Sequence, residues 1–317
     1  MPNREKLLLH TALLSAPLLS LVAVVLYSIA LLRDFRPDTG YFLPDSPLPQ
    51  ALFIFFLCSF LLFLLLTLAL RSQWQAAPVS GNLTVFFSAA FLAVSFVVSA
   101  MDAFFHLASL SDAYTKTFTL LVALSALGAL LYLILILSNR APRLRAFTAM
   151  APVFYTLFSA MLLYFDKTEE MNYPIKLLRL FAMLVLACWT LSECRNILGR
   201  GRPALHYLIG SFALVVSAAA SLPQLIYGLV YNRSLLLSGI DDFVIFAFFL
   251  YILARQLQLL PLDRPHLHRI TELLLGHTRT DTERDLLVAP TTDLPASGED
   301  ADKDTPVTGT DTSATGE

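Results

Sequence analysis

At 317 residues, 56% hydrophobic and only 15% charged, with a positive mean hydropathy, the chain is too apolar for a soluble domain of its length and belongs in lipid. Its net charge of −2 hides an asymmetry: from Asp263 onward there are 12 acidic and 5 basic residues, against 12 acidic and 17 basic before it. Cys58, Cys188 and Cys194 all fall in apolar segments, which argues against a disulfide framework or a zinc knuckle.

A spanning helix needs about 20 mostly apolar residues to cover about 30 Å of hydrocarbon. The first qualifying stretch, residues 7 to 32, follows the charged start NREK; it is far longer than the apolar core of a signal peptide and is read as an uncleaved first span. Residues 50 to 70, 83 to 108, 117 to 138, 146 to 165, 176 to 198, 204 to 231 and 239 to 260 complete a set of eight. Turn chemistry separates them, as in RPDTGYFLPDSPLP, WQAAPVSGN, SNRAPRLR, DKTEEMNYP and GRGRP. The expected fold is therefore all-α, a polytopic transmembrane bundle of about eight spans occupying residues 1–262.

Beyond the last span, PHLHRITELLLGH sets Leu267, Ile270 and Leu274 at helical spacing, so residues 263–287 form an expected amphipathic juxtamembrane segment. Residues 288–317 are rich in Thr, Asp, Ser, Gly, Pro and Ala with no apolar period; such a stretch buries too little surface to offset its ordering entropy, and a disordered acidic tail is expected.

Basic residues favour the cytoplasmic side of a membrane. With the N-terminus inside, the inner segments hold 12 of them and the outer ones 7, the latter including Lys176 and Arg179. Both termini are thus expected in the cytoplasm of a cell membrane, and the short loops without a transit peptide point to a bacterial inner membrane. The clusters RAPRLR and RNILGRGRP fit anchors for anionic headgroups better than patches for nucleic acid.

No Asp, Glu, Lys, Arg or His falls at mid-depth in the eight predicted spans, which counts against an ion-driven pump and leaves open a carrier for neutral solutes. Ionisable groups sit near span ends. Asp102 comes 19 residues after Leu83, about 28 Å along its helix and near the outer surface. Ser95, Ser99, Asp102 and His106 stand at i, i+4, i+7 and i+11, one helical stripe; Ser217, Ser221 and Gln224 repeat the spacing in the seventh span beside Pro223. These seven residues are the expected ligand-binding set, at an outward-facing cavity between the third and seventh spans. The competing account is close helix packing through small residues that hydrogen-bond across an interface. Glu193, with Arg195 and Arg200, reads as a charged group reaching the inner headgroups, or alternatively as a buried link to another span.

Enzyme signatures such as HExxH, GxSxG and GxxxxGK[ST] do not occur, and no catalytic residues are assigned. DKTEEMN lacks the spaced oxygens of a calcium loop, His266, His268 and His277 are not arranged for zinc, and His10 with His206 do not define a haem site, so no metal or cofactor is expected. The sequence leads to a non-enzymatic, carrier-like or solute-binding membrane protein in contact with the bilayer and a small-molecule ligand. The alternative is a sensor or accessory subunit that packs with a membrane-protein partner and signals through its tail.

Overall fold

A computed structural model describes residues 2–36, 39–70, 83–138, 142–165, 173–230 and 240–258. Among these residues nearly everything is helix: α1 (Pro2–Arg33), α2 (Leu48–Ala69), α3 (Leu83–Leu107), α4 (Ala113–Ser138), α5 (Pro142–Thr148), α6 (Ala151–Phe165), α7 (Pro174–Ile197), α8 (Pro203–Val230) and α9 (Ile240–Leu257). The exception is a two-stranded hairpin after α1, β1 (Phe35–Arg36) paired antiparallel with β2 (Tyr41–Phe42). The predicted segments at 263–287 and 288–317, and the acidic loop residues Asp166, Glu169 and Glu170, lie outside the described residues.

Proline sets where helices begin. Pro174 starts α7, Pro203 starts α8, and Pro49 and Pro152 fall in the first turns of α2 and α6, where a missing N–H leaves no intrahelical bond unmade. Pro152 also explains why the fifth crossing is two helices: α5 stops at a turn over Ala149 and Met150, and α6 resumes beyond it. At the other end of α7, Gly199 adopts φ +70°; its N–H bonds to the carbonyl of Asn196 and that of Arg200 to Arg195, the paired closure that a left-handed residue permits.

Seven segments are long and apolar enough to cross a membrane: six single helices and the α5–α6 pair over Arg143–Phe165. The remaining one, α9, has 18 residues, about 27 Å of helix, and carries Asp241, Asp242 and Arg255. Both Asp242 and Arg255 are buried against partners on α7, so those charges do not face lipid.

We call the face where α1 begins proximal and the face where it ends distal. Tyr207, early in α8, donates to the Ala12 carbonyl of α1 at 2.7 Å, and Phe35, just past α1, meets Tyr227 late in α8; the two helices run side by side in one direction. The centre of the bundle is α8, 67% buried and packed against α1, α2, α7 and α9, while α2 is only 28% buried and lies at the edge, touching α1 and α8. A chain of neighbours, α7 to α6 to α4 to α3 to α9, closes the bundle around α8.

Candidate functional site

The predicted serine stripes lie in dry interfaces. Ser95 and Ser99 are buried; Ser95 Oγ donates to its own helix at Leu92 O (2.7 Å), and Ser99 Oγ shares a hydrogen bond of 2.9 Å with the hydroxyl of fully buried Tyr155 on α6. Ser217 and Ser221, also buried, donate back to Leu214 O and Ser217 O within α8. The helices that carry the stripes are not brought face to face: α9 packs against both α3 and α8. In this arrangement the stripes fit helix packing, because small hydroxyl residues let a neighbouring helix approach closely and need no ligand to satisfy them. Asp102 and His106 remain at the exposed distal end of α3, where His106 Nδ1 lies 3.1 Å from Asp102 Oδ1 one turn earlier. Gln224 is separate from them, beside Tyr27 of α1.

Glu193 does not reach the headgroups with Arg195 and Arg200. It is 3% exposed, whereas both arginines are exposed. On its Oε1 converge Arg255 Nε (3.0 Å) and Nη2 (2.8 Å) from α9, and His206 Nε2 of α8 stands 3.2 Å from Oε2. The other ring nitrogen of His206 is 3.0 Å from Ser192 Oγ, Arg255 Nη1 donates to Gln258 Oε1 (2.6 Å), and Gln256 Nε2 donates to Ser211 Oγ (3.1 Å). A void of about 10 Å³, no larger than one water, adjoins Glu193, Thr190, Tyr132 and Tyr251.

A second buried pair joins the same two helices near the distal face. Arg179 Nε and Nη2 hold the carboxylate of Asp242 in a two-point contact at 2.7 and 2.5 Å. Lys176, one turn before Arg179, is buried as well. Arg179 and Glu193 are 14 residues apart on α7, and Asp242 and Arg255 are 13 apart on α9, so two parallel helices present opposite charges at two matched levels. That matching, visible in the sequence once both spans are given one direction, is the signal that finds these residues.

A wider opening lies elsewhere. A cleft of about 510 Å³ lies between α2 and α7, with Tyr27 and Phe212 from α1 and α8 behind it and Phe42 of the hairpin at its distal end. Its lining is aliphatic and aromatic, including Leu52, Phe56 and Leu178. The rim is open: Phe53 is 71% exposed, and Leu57 and Leu177 about half. The hairpin is fixed over this end by a cluster of edge-to-face rings: Phe35 meets Phe42, Tyr173 and Tyr227, and Phe42 also meets Tyr27. Gly40, at φ +76°, makes the hairpin turn where a Cβ would overlap the Tyr173 ring.

Among the described residues no three His, Cys, Asp or Glu side chains converge as a metal site. Comparison with protein-family models, curated proteins and solved structures yields no match, so the chain's own geometry carries the functional argument for this multi-pass membrane protein.

Proposed function

We propose that this protein is a carrier-like, solute-binding membrane protein whose ligand site is the apolar cleft between α2 and α7, opening on the outer half of a cell membrane. The observation that supports this is the cleft itself. Its volume of about 510 Å³ falls inside the range of about 300–1,000 Å³ typical of small-molecule sites, and its walls are apolar. Among the described residues, no side chain fills the cleft. The serines of α3 and α8 then serve assembly, and the ligand-binding role passes from the stripe to this wall, with Gln224 as the one member of the expected set beside it.

The test is thermal unfolding of the purified protein in detergent against a panel of apolar small molecules. A ligand at about 100 times its Kd stabilises the folded state by about 2.7 kcal/mol. At least one compound is expected to raise the Tm of the wild type, and Leu178→Trp, which fills the cleft from α7, is expected to abolish that rise. A shift that persists undiminished in Leu178→Trp rules the cleft out as the ligand site.

A further inference from the structure

We propose that α9 crosses the membrane only in the company of α7, and that the two buried ion pairs are the device that takes it in. The sequence sets the difficulty. Between Asp242 and Arg255 the uncharged run FVIFAFFLYILA has 12 residues, about 18 Å of helix, well short of a hydrocarbon core of about 30 Å. A crossing α9 therefore takes an aspartate and an arginine into lipid depth, where a charge without a partner opposes insertion. Its neighbour has the same trait: the uncharged run of α7 between Arg179 and Glu193 is 13 residues.

Each helix supplies what the other lacks. Asp242 and Arg255 are 4% and 3% exposed, and both are met by α7. At the distal level Arg179 Nε and Nη2 hold the Asp242 carboxylate; at the proximal level Arg255 Nε and Nη2 approach Glu193 Oε1 at 3.0 and 2.8 Å. Spacings of 14 residues on α7 and 13 on α9 satisfy both levels in one register. Direction is fixed as well. An α9 turned end for end sets Arg255 beside Arg179 and Asp242 beside Glu193, like charge against like at both levels. The helices α3 and α8 also pack on α9. From α8, His206 stands 3.2 Å from Glu193 Oε2 and Ser211 accepts from Gln256, while on α3 the ionisable pair Asp102 and His106 lies at the exposed distal end. Lys176, 2% exposed one turn before Arg179, is a second cation of α7 at the distal level.

Cell-free synthesis of the full chain, carrying a C-terminal epitope tag, into inverted bacterial inner-membrane vesicles tests this by the tag's resistance to added protease. Only chains that withstand alkaline extraction are scored; α1 to α6 are unaltered in every variant and anchor each of them. In the wild type the tag is expected outside the vesicle, where the protease removes it. Lys176→Met, Arg179→Met and Glu193→Leu together clear α7 of both partners and of the spare cation while leaving α9 and all loops intact. They are expected to raise the protected fraction several-fold, because α9 stays on the distal side. Adding Asp242→Leu and Arg255→Leu gives α9 an uncharged run of 21 residues, 242–262, long enough to cross alone, and the tag is expected to become accessible again. Basic-residue bias by itself predicts the opposite for this last step, since Arg255 is lost from the inner side. A protected tag in the wild type, an accessible tag in the three-residue α7 variant, or a tag still protected in the five-residue variant each overturns the proposal.

Discussion

Glu193 and Arg255 decide how the proximal half of the bundle holds together. Each is 3% exposed, and the guanidinium directs Nε and Nη2 to a single carboxylate oxygen of Glu193 while its Nη1 donates to Gln258; His206 Nε2 stands 3.2 Å from the other oxygen. Removing one partner of such a pair leaves an uncompensated buried charge, whereas removing both charges at once replaces a desolvated pair by packing. Arg255→Met is therefore expected to destabilise the protein by about 3–5 kcal/mol, and the double variant Glu193→Leu with Arg255→Met to recover most of that, as measured by unfolding in detergent. Arg195→Ala, at an exposed position, is expected to change stability by less than about 0.5 kcal/mol. A cost for Arg255→Met no larger than that of Arg195→Ala contradicts the buried pair. The sequence already held half of this outcome: residues two apart on a helix do not face each other, so Arg195 was never placed to pair with Glu193. What it did not hold was which other span brings a cation to that level, because the pairing of non-adjacent helices has no local signature.

At the scale of elements, α4 and the start of α6 come into close contact. A Cβ added at Gly128 would lie 2.9 Å from Cβ of Ala151, nearer than real side chains come. The small residue here is what lets the two helices touch, the device that replaces hydrophobic segregation inside lipid. Gly128→Leu is expected to cost about 1–3 kcal/mol by forcing α4 and α6 apart, detected as a lower Tm with unchanged helical content by circular dichroism. An unchanged Tm means that α6 yields at its break after Met150 and that the contact is not tight. Helix positions were legible: span lengths, the proline starts and the turn peptides placed all eight segments to within a few residues, since each depends on local composition. Helix neighbours were not. The Ser95 and Ser217 stripes predict a polar face, but the same face serves a cavity or a close contact, and only the position of α9 between α3 and α8 separates the two. The cleft left no motif at all, because an apolar wall facing a gap and an apolar wall facing lipid have the same composition.

For the whole molecule, the buried pairs bear on orientation. Charges that are neutralised inside the bundle do not bias insertion through the loops, and two of the basic residues first counted there, Arg179 and Arg255, belong to this class. Taking Arg255 from the 12 expected on the inner side and Arg179 from the 7 expected on the outer side leaves 11 against 6, so the bias expected from the sequence is kept. The pairing of α7 with α9 in one direction also requires α9 to end on the face where α7 ends, so an eighth crossing by α9 is the arrangement to test. Single cysteines test both points in a background where Cys58, Cys188 and Cys194 are replaced by serine. Ser109→Cys, in the distal connection between α3 and α4, is expected to react with a membrane-impermeant maleimide on intact cells. Arg200→Cys, between α7 and α8, and Gln258→Cys, just past α9, are expected to react only after the cells are permeabilised. The reversed pattern inverts the protein in its membrane. Labelling of Gln258→Cys together with Ser109→Cys denies α9 its crossing, and with it the parallel arrangement on which the two α7–α9 ion pairs depend.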